Sequence, residues 1–251
     1  MTVTEKSKRI LGSIYLTEIK EKFMKYKNIL FDLDDTLLDF VKSEARALQQ
    51  VFEQYNIPYT KEHIRKYKEI NHELWVAYES GKIERHVIFE SRFPQFLQLY
   101  GYDIKGTVVD ETYRRFLMDG HDVIEGAIQV LQSLQATHRL YVVTNGLKEM
   151  QQKRLRDSGL EKYFDKIFIS EDVGYKKPDI EFFEHVFSFI PEFKHEETII
   201  VGDMLHADIL GGFKAGIDTV WVNNKDFKLY VNVSPTYEIK HVNELHAILS
   251  N

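Results

Sequence analysis

The sequence contains no cysteine, which excludes disulfide frameworks, thiolate metal sites and cysteine nucleophiles and is compatible with a reducing compartment. It has no apolar run near the length of about 20 residues that a membrane span needs. It has no excess of basic residues either. Lys and Arg number 33 against 39 Asp and Glu, a net charge of −6, whereas general nucleic-acid binding prefers a basic face. No internal repeat or low-complexity tract stands out. The first 23 residues lack the small-residue cleavage site of a signal peptide: the apolar patch Ile10 to Leu16 runs into Glu18, Lys20, Glu21 and Lys22. Ile10, Leu11, Ile14 and Phe23 could line one side of a short helix, but the favoured reading is a dispensable extension before a functional start at Met24.

What is present is one highly informative stretch, Asn28-Ile29-Leu30-Phe31-Asp32-Leu33-Asp34-Asp35-Thr36. A short apolar run suits a strand buried on both faces of a parallel sheet, and here it ends in three carboxylates within four residues. Open α/β sheets place ligand sites at the carboxyl ends of their strands. Clustered negative charge in a crevice is costly without a cation. Turn formation is the competing explanation, because Asp is common where strands stop, and this stretch alone leaves both open.

Four more β-rich runs follow: Leu140 to Val143, Lys166 to Ile169, Thr198 to Val201 and Thr219 to Val222. Helical patterns lie between them, which predicts a parallel sheet with helices on both faces. The first interval exceeds one βαβ unit by about 80 residues. Within it, apolar positions recur at helical spacing at Ala45, Leu48, Val51 and Phe52, then from Ile64 to Trp75 after a start at Thr60, then over 87–99. Thr107 to Asp110 reads as a capping-box-like start to a fourth helix ending at Met118. The expected organisation is an extension over 1–23, an α/β core over 24–42 and 122–251, and an all-helical cap over 43–121. Asp39-Phe40 and Asp119-Gly120 are its expected hinges. Residues 223–237 read as a polar return, and Asn243 to Leu249 as a terminal helix.

The other strand ends carry chemistry of their own. Thr144-Asn145-Gly146 offers a hydroxyl and backbone N–H groups at a strand-to-helix turn, a phosphate cradle or simply an N-cap. Lys177 precedes Pro178, a candidate first residue of the next helix. Gly202-Asp203 through Asp208 brings two more carboxylates to the same edge. Together these point to a site for an anion plus a hard cation, and an all-oxygen donor set suits Mg²⁺ rather than zinc.

In these four segments the chain resembles the haloacid dehalogenase-like hydrolase superfamily. Asp32-Leu33-Asp34-Asp35-Thr36 is similar to its Asp-x-Asp-x-Thr motif, Thr144 to its second motif, Lys177-Pro178 to its third, and Gly202-Asp203 to Asp208 to its fourth. The helical insert is similar to the family's C1 cap. The resemblance implies a Rossmann-like α/β core with that cap and a Mg²⁺-dependent phosphatase. Asp32 would be the nucleophile and Asp34 the acid and base. Lys177, Thr144 and Asn145 would bind the phosphoryl group, and Mg²⁺ would be held by Asp32, the backbone carbonyl of Asp34 and Asp203. Asp208 would orient the metal's waters or Lys177. Asp35 is left as a turn residue, and His206 as a solvent-facing or packing histidine.

The cues Leu74-Trp75, Tyr78-Glu79-Ser80-Gly81-Lys82, Arg92-Phe93 and Val143-Thr144-Asn145-Gly146 resemble most the bacterial pyrimidine 5′-nucleotidase branch. Tyr78, Gly81, Lys82 and Arg92 are therefore the expected specificity residues. The implied partner is a small phosphate ester, a nucleoside monophosphate, handled by a cytoplasmic monomer without nucleic acid or membrane. The rivals are a phosphosugar or phosphoglycolate phosphatase, a phosphomutase, and a silent phospho-ligand-binding module.

Overall fold

The computed structural model describes residues 24–224, 228 and 232–249. The expected extension over 1–23 lies outside the described residues. Among the latter, six strands form one sheet: β1 (Asn28–Phe31), β2 (Arg139–Thr144), β3 (Lys166–Ile169), β4 (Thr198–Gly202), β5 (Asp218–Val222) and β6 (Tyr237–Ile239). Their order is β3-β2-β1-β4-β5-β6 and every pairing is parallel. This is the doubly wound Rossmann order, whose switch point falls between β1 and β4.

The strands read as apolar runs because both faces are buried. Ile29, Phe31, Leu140, Val142, Ile199 and Val201 join one hydrophobic cluster, while the alternating Leu30, Tyr141, Val143 and Ile200 join the other. The period of two puts successive side chains on opposite faces. The register aligns Phe31 with Val142 on one side and Val201 on the other, so the residues after β1, β2 and β4 emerge side by side.

Four helices fill the long interval after β1: α1 (Phe40–Gln54), α2 (Lys61–Glu79), α3 (Arg85–Leu99) and α4 (Gly106–Met118). They bury their own core of Leu48, Val51, Phe52, Tyr67, Phe93, Phe96 and Tyr113. Asp39 caps α1 through Lys42 N at 2.8 Å, and Thr60 caps α2 through His63 N. The expected capping box at Thr107 is absent. The N-cap of α4 is Lys105, and the Asp110 side chain is drawn instead to Arg92 and Arg114. The chain leaves and re-enters the core where two segments press together: a Cβ on Gly120 would sit 2.4 Å from that of Ser43.

The remaining helices are α5 (Ala127–Leu134), α6 (Lys148–Asp157), α7 (Ser170–Val173), α8 (Ile180–Ser188), α9 (Leu210–Lys214) and α10 (Leu245–Leu249). Pro178 is not the first residue of α8. That helix starts at Ile180 with Asp179 as N-cap, and the Lys177–Pro178 peptide is cis. The stretch read as a polar return ends in β6, an edge strand paired with β5. No helix among the described residues is long and apolar enough to cross a membrane.

Candidate active site

Asp32 follows β1 directly, its N–H donating to Val201 O at 2.9 Å. That bond places its carboxylate at the switch-point crevice. Lys177 reaches the same point from the loop after α7, and its Nζ donates to Asp32 Oδ1 (2.7 Å), Asp208 Oδ1 (2.6 Å) and Val143 O (2.7 Å). All three ammonium donors are therefore used, although the residue is only 1 % exposed. Burial works against that charge, but the two carboxylates outweigh it and hold the ammonium above the usual lysine range.

The Gly-Asp-x-x-x-x-Asp spacing has a local reason. After β4 the chain makes a π-helical turn, Leu205–Ile209. The turn carries Asp208 back over the strand end, where its Oδ2 accepts from Met204 N at 3.0 Å. A Cβ on Gly202 would lie 2.2 Å from Asp208 Oδ2, so only glycine admits the buried carboxylate there. Asp203 sits beside it, with its backbone carbonyl accepting from Trp221 Nε1 of β5 at 2.9 Å. One carboxylate oxygen from each of Asp32, Asp203 and Asp208 lies within 4.8 Å of the others, a group that could hold a metal ion. Burial, reinforced by Asp208 and Asp34 and opposed by Lys177, pushes the Asp32 carboxyl upward. Three carboxylates against one ammonium is a charge excess that a divalent cation would balance.

Thr144, at the end of β2, is 2 % exposed. Its Oγ1 accepts from Gly146 N and from Gln151 Nε2, both at 3.1 Å. The Asn145 side chain turns to the lysine loop. It is committed to the backbone of Lys177, accepting from Lys177 N (2.9 Å) and donating to Lys177 O (2.8 Å). The reciprocal pair fixes the base of the lysine. The Asp34 carboxylate turns to α6: its two oxygens accept from Gln151 Nε2 at 2.7 Å and from Arg154 Nη1. Neither Gln151 nor Arg154 was anticipated from the sequence. Asp35 has φ +54° and accepts from Val41 N at 3.1 Å, a turn and capping role.

From the cap, Tyr78, Glu79 and Arg85 face the core. Arg85 donates to Tyr78 Oη (2.8 Å) and to Ser170 Oγ at the end of β3 (2.6 Å), and Lys176 Nζ stands 4.9 Å over the Tyr78 ring. Gly81 and Lys82 instead lie exposed in the turn beyond α2. Arg92 is 3 % exposed inside the cap, bound to Asp110 at 2.5 Å and Asn71 at 3.1 Å. Its guanidinium holds the cap together and cannot also recognise a substrate. His206 turns out to face the cap, Nδ1 standing 3.9 Å from Glu79 Oε2.

Burial and then the Asp208 carboxylate push Glu79 up to about 7, against Lys177 and Lys176. A carboxyl raised on folding binds its proton more tightly folded than unfolded. Its contribution is therefore favourable at low pH and is lost as pH climbs from about 4.5 through about 7. In metal-free protein, Glu79→Gln should stabilise by on the order of 2–3 kcal/mol at about pH 8.5 and by little at about pH 5. Thermal melts at the two pH values check this; equal shifts at both would contradict it.

A Rossmann-ordered sheet with carboxylates and a lysine at its switch point, covered by an inserted helical cap, defines a capped α/β hydrolase. The family model for haloacid dehalogenase-like hydrolases matches residues 29–222, and the chain belongs to that family. It is 48% identical to HAD-hydrolase YfnB of Bacillus subtilis (strain 168), over 90% of this chain and 96% of that one. A crystal structure of YfnB bound to magnesium superposes with a TM-score of 0.86, covering 90% of this chain and 99% of that one. The chain is also 36% identical to the pyrimidine 5′-nucleotidase PynA of Streptococcus pneumoniae, over 88% of this chain and 94% of that one. With the pyrimidine 5′-nucleotidase YjjG of Escherichia coli (strain K12) the identity is 30%, over 90% and 99%.

Proposed function

We propose that the protein is a Mg²⁺-dependent phosphomonoesterase acting on pyrimidine nucleoside 5′-monophosphates. The observation that carries the phosphatase reading is the buried Lys177 ammonium gripped by Asp32 and Asp208, with Asp203 completing the acidic group. Lys177 holds Asp32 Oδ1, which fixes the plane of the carboxylate at the mouth of the crevice. An Asp32 oxygen attacks phosphorus, and the phosphorus–ester oxygen bond breaks in line. Asp34 supplies the proton that the departing alkoxide needs and later takes one from the water that cleaves the aspartyl-phosphate. Lys177 offsets the repulsion between carboxylate and phosphate, and the N–H groups around Thr144 receive phosphoryl oxygens.

Asp32, Asp203 and the Asp34 backbone carbonyl would hold Mg²⁺, with Asp208 fixing Lys177 beside it. The all-oxygen donors and the local charge excess fit a hard divalent cation. Bound there, the ion supplies Lewis-acid screening of the phosphate charge. The nucleotide preference is supported by the two nucleotidase relatives. It is supported also by the aromatic and cationic groups that the cap brings against the core at Ser170 and Lys176, Tyr78 and Arg85. An aromatic ring can stack on a base and a guanidinium can meet its polar edge.

The test is phosphate release from dUMP, dTMP, UMP and a set of small phosphosugars, with Mg²⁺ and with EDTA. Release should be fastest for the nucleotides and should fall to background in EDTA. Equal or faster turnover of the sugars would overturn the nucleotide reading, and metal-independent turnover the Mg²⁺ requirement.

A further inference from the structure

Arg154 is fully buried, yet it stands outside the catalytic scheme. Its Nε donates to Gly120 O at 2.6 Å and its Nη1 to Gln151 Oε1 at 2.9 Å and to Asp34. Its guanidinium lies 5.8 Å from the centre of the Phe40 ring. Gly120 is where the chain returns from the cap and Phe40 is where it leaves, so one side chain of the core touches both crossings and Asp34. Gln151, one helical turn earlier on α6, completes the grip: its Nε2 binds both Asp34 Oδ2 at 2.7 Å and Thr144 Oγ1 at 3.1 Å. The same helix turns Met150 into the cap's hydrophobic core and ties Asp119 through Lys153 Nζ at 3.0 Å.

The arrangement carries a cost beside its three hydrogen bonds. Arg154 Nη2 is buried with no hydrogen-bond partner, a defect that costs about 1–3 kcal/mol. The carboxylate being gripped is itself one-third exposed, so the arginine is not there to neutralise a buried acid.

We propose that Arg154 is a positioning residue for Asp34: anchored on both cap crossings, it sets where the proton-shuttling carboxylate stands relative to the phosphoryl site. The inference rests on the phosphatase reading above. Arg154 needs two separate N–H directions to bridge Gly120 O and Asp34, which a lysine ammonium at the end of a flexible stem cannot reproduce. The consequence is selective by leaving group. An alkoxide must receive a proton to depart, whereas p-nitrophenolate leaves without one. Only the alkyl ester therefore depends on how Asp34 is held during the first chemical step.

The experiment is first-turnover release of the leaving group in the Mg²⁺-loaded enzyme. It uses p-nitrophenyl phosphate and whichever alkyl phosphate the wild type cleaves best, in Arg154→Lys and Arg154→Met. The expected result is a loss of about 10- to 100-fold in alcohol release, within the range of general-acid effects, with the p-nitrophenolate burst changed by less than about 2-fold. The intact burst also shows that the variant has folded around its nucleophile. If one variant loses the burst through misfolding, the other decides. Equal loss on both substrates in both variants would mean a structural brace, and equal retention would mean no role; either overturns the inference. Asp34→Asn separates this from the reading beneath it. Unchanged alcohol release in Asp34→Asn would remove the shuttle itself. Loss there with full retention in Arg154→Lys would overturn only the assignment of Arg154.

Discussion

Asp32→Asn is expected to lower phosphate release by on the order of 10⁴-fold or more, as removal of a nucleophile does in other covalent catalysts, while the fold persists. The two halves of this expectation have different origins. Activity is lost because an amide oxygen cannot form the aspartyl-phosphate. Stability is kept because the substitution removes one of the two carboxylates bonded to Lys177 Nζ and lowers the acidic excess of the crevice from three carboxylates to two, Asp203 and Asp208. Asparagine can still accept from Lys177 with its side-chain oxygen. The checks are phosphate release and a thermal melt on the same preparation. Measurable turnover at more than a trace would dispose of Asp32 as nucleophile, and collapse of the melt would show that the charge count was misjudged.

Lys177→Met reverses the balance and should damage both properties. It leaves Asp32 and Asp208 facing each other, Asp208 fully buried, with no ammonium between them. Removing one partner of a buried ionic group costs about 3–5 kcal/mol because the remaining charge stays uncompensated. For a chain of this size that corresponds to a fall in Tm on the order of 10 °C. Activity should be lost as well, since nothing offsets the approach of carboxylate to phosphate. A second substitution makes the cause visible. In the Lys177→Met background, Asp208→Asn should recover part of the lost stability without recovering turnover, because it deletes one stranded charge. An amide oxygen there could still accept from Met204 N as Asp208 Oδ2 does. A Tm for Lys177→Met within a degree or two of wild type would contradict the idea that the lysine is what makes the acidic cluster tolerable.

Much of this site could be read from the chain because its parts are local. Each strand is buried on both faces and so appears as an unbroken apolar run, and each polar residue that follows directly marks the strand's carboxyl end. The Gly202-to-Asp208 spacing is legible for the same reason: the turn folds back on its own strand. What escaped was whatever depends on a partner distant in sequence. Arg92 is consumed by Asp110 and Asn71, a pairing 18 and 21 residues away that no periodicity reveals. Pro178 looked like a helix start, but the chain needs another turn before α8 to seat Lys177. The three residues of β6 carry an exposed Glu238 between Tyr237 and Ile239, too short an alternation to separate from loop. Arg154 and Gln151 did leave a trace. They share the buried side of α6 with Met150 and Leu155, and polar residues on a helix's buried stripe are the informative exception.

The contact between the Trp221 indole and the Asp203 carbonyl has an optical consequence. The chain has two tryptophans: Trp75 lies in the cap on α2, and Trp221 is buried on β5 with its N–H bound directly behind an acid of the candidate metal group. The cap and the core thus each carry one native fluorophore. With Trp75 replaced by phenylalanine, emission from Trp221 would watch the acidic cluster alone. With Trp221 replaced, emission from Trp75 would watch the cap, so changes at the acidic cluster and changes in the cap give separate signals in one unlabelled protein.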